Sequence, residues 1–258
     1  MPLRHSNSGA AFLAGLTLSE PLREALARRQ PPHGPAIKIC GLTKPDTLEA
    51  ALRAGADMVG LVFFPKSPRH VSIETASQLA SLTGLRSIKV ALTVDADDAL
   101  LDTIVTSAKP DMLQFHGSET PERIRAVKAR YGLPIMKAIG ISGPADLAAV
   151  DAYADSADRI LFDAKPPNGS EIPGGNGLAF DWDLLSGVQL KAPFMLSGGL
   201  DAGNVVEAAG RTCAGAVDVS SGVESAPGQK DPARISAFVR TIRHAAGIEE
   251  LGSSGTTR

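Results

Sequence analysis

From Ala36 onward, short runs of β-branched and other apolar residues alternate with longer stretches whose apolar positions recur at helical spacing. The short runs, at residues 37–40, 58–63, 87–93, 112–115, 135–139, 159–162, 194–196 and 216–219, predict strands. The stretches between and after them, including 46–54, 73–81, 97–107, 121–130, 144–153, 203–209 and 232–245, predict helices. Ser, Asp, Thr or Pro stands at their starts, as helix N-termini prefer. Alternation of this kind points to a parallel sheet with crossover helices. Eight such units favour a closed (β/α)8 barrel, an α/β fold of the TIM type, over an open doubly wound sheet, whose first strand would lead into G-x-G-x-x-G. No such loop follows residue 40.

The barrel is expected to span residues 36–246, and a total length of 258 suits one such domain. Residues 1–35 form an N-terminal extension to which the sequence assigns no role. Its apolar run 10–16 imitates the core of a signal peptide, yet no small-residue cleavage site follows, and 19–26 reads as a short capped helix with Pro in its first turn. The tail from Gly247 to residue 258 is expected to be disordered. The long Gly/Pro-rich connection 165–179 has the character of an active-site lid.

Side chains alternate across a strand, so Lys38 and Cys40 share one face while Ile37 and Ile39 share the other. Leu161 and Asp163 likewise oppose Ile160 and Phe162. If the Ile and Phe pairs face the helices, Cys40 and Asp163 point into the barrel at the strand C-termini, where such enzymes keep their chemistry. A thiol across from a carboxyl suits a base and acid pair, and a cation such as Lys38 would help the thiol ionise. Each residue also has a plain structural reading: Cys40 as a small buried hydrophobe, Asp163 as a cap or loop ion pair. Cys213 is read only as a packing residue.

Two late loops, Ser197-Gly198-Gly199-Leu200 after the seventh strand and Ser220-Ser221-Gly222-Val223-Glu224 after the eighth, occupy the usual phosphate place of this fold. Their glycines let backbone N–H groups approach an anion, and a short helix after the eighth strand would add its N-terminus. Arg69, after the second strand, could take a carboxylate with two parallel donors or could be an ordinary loop arginine. His116, after the fourth strand, is either a substrate contact or a solvated loop residue.

Composition narrows the partners. A net charge of −2 argues against nucleic acid or an anionic membrane surface, and no apolar run is long enough to span a bilayer. Two cysteines without C-x-x-C or a His cluster suggest neither a disulfide framework nor a metal site, and a reducing, cytoplasmic setting follows.

Taken together the motifs resemble one family, the phosphoribosylanthranilate isomerases: Lys38-Ile39-Cys40-Gly41-Leu42-Thr43, Val62-Phe63-Phe64-Pro65-Lys66-Ser67-Pro68-Arg69, Gln114-Phe115-His116-Gly117, Leu161-Phe162-Asp163-Ala164-Lys165, Gly174-Gly175-Asn176-Gly177 and the two late loops, in order. The resemblance covers about residues 37 to 243 and turns the balance for Cys40, Asp163 and Arg69 from packing to function. It implies an Amadori rearrangement of tryptophan biosynthesis on N-(5-phosphoribosyl)anthranilate, with Asp163 as acid and Cys40 as base and no metal or organic cofactor. Arg69 would bind the anthranilate carboxylate, and Gly175, Gly198, Gly199, Ser220, Ser221 and Gly222 the rest of the phosphorylated small molecule, with Asp218 orienting a sugar hydroxyl. Asn176 and Leu178 depart from the family's commoner Thr and Lys. The analogous isomerase of histidine biosynthesis, which uses an Asp where Cys40 stands, and a catalytically silent phosphate- or metabolite-binding barrel are the competing readings. Monomer and homodimer are both open.

Overall fold

The computed structural model describes residues 9–28, 34–166, 174–175, 177–186 and 193–247. The expected tail beyond Gly247 and the departure at Asn176 lie outside these residues. Eight strands close into a parallel barrel in chain order: β1 (Ala36–Cys40), β2 (Met58–Phe63), β3 (Ile88–Thr93), β4 (Met112–Phe115), β5 (Ile135–Ile141), β6 (Arg159–Ala164), β7 (Phe194–Leu196) and β8 (Ala216–Val219). β8 pairs back onto β1, with Lys38 beside Asp218, and β2 pairs with β1 with Gly60 beside Cys40.

Two short helices precede the barrel, α1 (Gly9–Leu13) and α2 (Glu20–Arg28). The crossovers carry α3 (Pro45–Ala54), α4 (Ile73–Thr83), α5 (Asp98–Ala108), α6 (Pro121–Tyr131), α7 (Pro144–Leu147), α8 (Val150–Tyr153) and α9 (Val205–Thr212), and α10 (Pro232–Ala245) follows β8. Side chains cap several of them as the sequence predicts: Ser72 accepts from Thr75 N, Asp97 from Leu100 N and Thr120 from Arg123 N. Each cap stabilises its helix by about 1 kcal/mol.

One expected element differs. The single helix expected over 144–153 is two short pieces, because the backbone bonds tighten to three-residue spacing, with Ala149 N donating to Asp146 O and Ala154 N to Asp151 O. Between β6 and β7 the described residues hold only a 3₁₀ turn, Trp182–Leu185.

The alternation read from the strands holds. Ile37, Ile39, Ile160 and Phe162 pack outward against helix residues such as Leu48, Leu79, Leu101, Ile124 and Phe238. The opposite faces contribute Met58, Met112, Met136, Leu161 and Met195 to a second core inside the barrel, and Phe12, Leu16 and Leu22 close it from the N-terminal end. Arg159 ties this plug down, its Nε donating to Phe12 O and its Nη2 to Ala14 O, both at 2.6 Å.

The same end shows a repeating clasp. Asp57, Asp111 and Asp158, each just before an even-numbered strand, accept the N–H of Ile37, Lys89 and Ile135 respectively, all at 2.8 Å. Conserving register there leaves the opposite mouth to be built from loops.

Candidate active site

At the C-terminal mouth, an open cavity of about 720 Å³, counting solvent within it, is lined by Cys40, Arg69, His116, Asp163, Asp218 and the two late Gly/Ser loops, together with Gly175 and Leu178.

Cys40 ends β1 on the inward face and is 4% exposed. Its neighbour across the sheet must be small: a Cβ on Gly60 would lie 2.9 Å from the thiol sulfur and 3.2 Å from Lys38 Nζ. Glycine therefore opens the space in which thiol and ammonium sit side by side. The charge of Lys38 is shared between the thiol and Asp218, because its Nζ donates to Asp218 Oδ1 at 2.9 Å in a buried pair. Burial pushes the Cys40 thiol above its ordinary range; Lys38 pulls the other way, and Asp218 adds to the upward push. The expected assistance from Lys38 is thus present but outweighed.

Asp163 stands on the inward face near the end of β6, 4% exposed, with Oδ1 accepting from Ala164 N at 2.9 Å. Its Oδ2 lies 3.3 Å from His116 Nε2, and His116 Nδ1 lies 3.3 Å from the Gln114 side-chain nitrogen. His116 therefore belongs to the cavity wall and is not a solvated loop residue. A side chain at Gly174 would collide with both Asp163 and His116, and one at Gly198 would reach 3.2 Å from Asp163 Oδ1.

Arg69 is brought to the cavity as expected, but the planar two-donor edge anticipated for a ligand carboxylate is already occupied. Nε and Nη2 donate to the two oxygens of Glu224 at 2.7 and 2.8 Å, and Nη2 also to Gly175 O at 3.2 Å. The side chain folds inward from the β2 loop, and Glu224 is the acceptor it meets. Nη1 lies so close to Gly175 that a Cβ there would clash, and it is the guanidinium nitrogen that Glu224 does not engage. Burial works against the Arg69 charge, yet Glu224 holds its pKa above the ordinary value.

The late loops lie side by side. Gly198 and Gly199 adopt φ of 89° and 60°, a left-handed backbone open to glycine at little cost, and Gly199 backs directly onto Leu178 and Ala179. Ser221 and Gly222 fall in a short 3₁₀ helix of three residues, Ser221–Val223. Ser220 Oγ donates to Cys40 O at 3.2 Å, so the loop after β8 touches the strand that carries the thiol. Asp218 Oδ2 is 3.4 Å from Ser197 Oγ.

The sequence reading names Glu224 only as the end of the loop after β8, with no role of its own, and does not single out Lys230. They lie on a small hairpin, β9 (Glu224–Ala226) and β10 (Gln229–Lys230), too short to show alternation. Cys213 is also corrected: it is exposed, not a packing residue, because it caps α9 in a left-handed conformation, φ 53°. Among the described residues, no cluster of three His, Cys, Asp or Glu could hold a metal ion, and no helix is long and apolar enough to cross a membrane.

Comparison with known proteins bears on this geometry. Residues 37–241 match the family model described as N-(5'phosphoribosyl)anthranilate (PRA) isomerase. An N-(5'-phosphoribosyl)anthranilate isomerase of Rhodopseudomonas palustris (strain ATCC BAA-98 / CGA009) is 61% identical over 209 residues, 81% of this chain and 98% of that protein. The crystal structure of phosphoribosyl anthranilate isomerase from Thermotoga maritima superposes with a TM-score of 0.73 at 33% identity, covering 81% of this chain and 99% of that one. A phosphoribosyl anthranilate isomerase in complex with reduced 1-(o-carboxyphenylamino)-1-deoxyribulose 5-phosphate gives 0.71 at 31% identity over 81% and 99% of the two chains.

Proposed function

The chain belongs to the N-(5'-phosphoribosyl)anthranilate isomerase family, and from that premise we propose that Cys40 and Asp163 carry the two proton transfers of its reaction. As a member it isomerises N-(5-phosphoribosyl)anthranilate to 1-(2-carboxyphenylamino)-1-deoxyribulose 5-phosphate in tryptophan biosynthesis. The observation that carries the assignment of residues is the shared cavity: thiol and carboxyl, from strands β1 and β6, both line it.

Asp163, protonated, delivers its proton to the furanose ring oxygen as the bond from that oxygen to C1 breaks, and the anilino nitrogen supplies the electrons to form an iminium. Cys40 as thiolate then removes the C2 proton, whose acidity the iminium raises by drawing electrons toward nitrogen. The enolamine tautomerises to the ketone when C1 gains a proton. Burial that favours the neutral thiol also keeps water away from it, so the thiolate, once formed, is poorly solvated and strongly basic.

Arg69 Nη1 supports a contact to the anthranilate carboxylate, and the backbone of Gly198, Gly199, Ser220, Ser221 and Gly222 a contact to the phosphate. Gly175 supplies the close wall beside Arg69, and Asp218, already holding Lys38, faces the sugar. A cytoplasmic location belongs to the same reading, since a phosphorylated sugar does not cross a membrane unaided. Cys40, in place of an Asp, favours this substrate over the histidine-pathway aminoaldose. The test is conversion of freshly made phosphoribosylanthranilate by the purified protein, followed as loss of anthranilate-type fluorescence. A protein that binds phosphate but never turns the substrate over would be a silent barrel.

A further inference from the structure

Glu224 is a buried carboxylate that the reaction itself does not use. It accepts from Arg69 through Nε and Nη2, from Lys230 Nζ at 2.5 Å and from Gly228 N at 3.2 Å. Its side chain is 3% exposed and that of Lys230 is 1% exposed. Lys230 also donates to Ser220 O at 3.0 Å and to Ser220 Oγ at 3.1 Å, and that hydroxyl donates to Cys40 O. One continuous chain of hydrogen bonds therefore runs from Arg69, at one end of the cavity, through Glu224 and Lys230 to the loop after β8 and the backbone of the thiol strand.

The charges explain why a carboxylate is needed at its centre. Arg69 and Lys230 converge on a region closed to water, where two cations without an anion between them would repel. Burial lowers the pKa of Lys230 and the neighbouring Arg69 lowers it further, while Glu224 offsets part of this. Burial acts against the charge of Glu224 too, but its two cationic partners hold its pKa below the usual value, so it stays ionised. One negative and two positive groups leave a net positive site. The hairpin carrying Glu224 is itself seated on the β2 loop: Gly228, φ 78°, packs so tightly on Pro68 O that a Cβ would lie 2.5 Å away.

We propose that Glu224 is a positioning residue for both anionic ends of the substrate: it turns Arg69 so that Nη1 meets the carboxylate, and through Lys230 it holds Ser220 in the phosphate loop. This rests on Arg69 and the late loops being the two anion contacts. A residue that only stabilised the hairpin would leave the affinity of the folded protein for each anion unchanged.

The test titrates anthranilate and inorganic phosphate as inhibitors of wild type, Glu224→Gln, Arg69→Ala and the double variant. In Glu224→Gln both inhibitors should weaken by roughly tenfold, since a charge-assisted bond is lost at each end, with KM rising and kcat within about twofold of wild type. Arg69→Ala should weaken anthranilate alone. The double variant should lose little more anthranilate affinity than Arg69→Ala does, because Glu224 acts on that end only through Arg69. Unchanged affinity for both anions in Glu224→Gln, a loss confined to kcat, or full additivity in the double variant would overturn the proposal. Anthranilate binding that survives Arg69→Ala would instead remove the carboxylate contact on which the proposal rests. Should Glu224→Gln fail to fold, Glu224→Asp, which draws the charge back by one methylene, is put through the same titrations with the same expected and overturning results.

Discussion

At the N-terminal mouth of the barrel Phe12, Leu16 and Leu22 lie against Met58, Met112, Met136 and Met195, whereas the C-terminal mouth gathers Lys38, Arg69, Asp163, Asp218, Glu224 and Lys230, all nearly buried. The first end is filled by side chains that need only shape, and the chain's own α1 and α2 supply them. The second is filled by groups that each need a partner, since an unpaired buried charge costs several kcal/mol. Its pairs, Lys38 with Asp218 and Arg69 and Lys230 with Glu224, meet that requirement between neighbouring strands and loops. One mouth is therefore a place to lose stability without losing chemistry, whereas at the other a substitution reaches the chemistry.

The sharpest test of that division is at Cys40. Replacing it by Ala removes a small group from the polar mouth, yet kcat should fall by about 10²–10⁴-fold, as general base catalysis requires. Far-ultraviolet circular dichroism and phosphate inhibition should stay as in wild type. An alanine variant with more than about a tenth of the normal rate would take the base role away from Cys40.

Phe12→Ala is the mirror experiment. The ring is 1% exposed and also lies under the Arg159 guanidinium, 5.2 Å from its carbon. Its loss should destabilise the fold by about 3–5 kcal/mol, the range for truncating a buried aromatic. The Arg159 bonds go to backbone oxygens of Phe12 and Ala14 and survive the change. Urea denaturation should show the lower midpoint while kcat and KM remain within about twofold. A native midpoint would mean that the plug closes nothing that matters, and a large kcat loss would mean that the two mouths are coupled.

The pH profile probes a smaller effect inside the polar mouth. The proposed base, Cys40, must be a thiolate, and burial, with Asp218, moves its pKa up; kcat/KM should therefore still be climbing with pH above the range of an ordinary thiol. Asp218→Asn removes one upward push and releases Lys38 toward the thiol, so the rise should move to lower pH. Lys38→Met should move it to higher pH. Profiles that shift in the opposite directions would show that the titrating group is not Cys40.

How far these regions could be read beforehand differs for physical reasons. The inward face of β1 and β6 was legible because alternation is a local, two-residue rule, and Cys40 and Asp163 follow from it. The plug was half legible: the apolar run at 10–16 and the capped helix after it were visible, but not that they enter the barrel. The partnership of Arg69 with Glu224 spans 155 residues and leaves no local mark, so the sequence shows Arg69 with its fork open. For the same reason the local sequence favours a solvated loop residue at His116, since its partner Asp163 comes from another strand. The break between α7 and α8 depends on a change of hydrogen-bond spacing among alanines that carry no capping signal.

The smallest expected effect belongs to the second cysteine, and it sharpens the comparison by setting one thiol against the other. Cys213 is exposed and ends α9 with φ 53° and ψ 34°, a left-handed conformation that costs a residue with a Cβ about 1–2 kcal/mol. Cys213→Ala keeps that cost and should change neither turnover nor the denaturation midpoint measurably. Cys213→Gly relieves it, and after the entropy that glycine adds to the unfolded chain the net gain should be about 1 kcal/mol or less. A thiol reagent should modify Cys213 before the buried Cys40, so wild type treated briefly should incorporate one label and retain its activity. Longer treatment should inactivate wild type and Cys213→Ala at the same rate, and a bound substrate analogue should protect both. If inactivation vanished with Cys213, the reactive thiol would lie outside the cavity, and the base would have to be sought among the other groups of the C-terminal mouth.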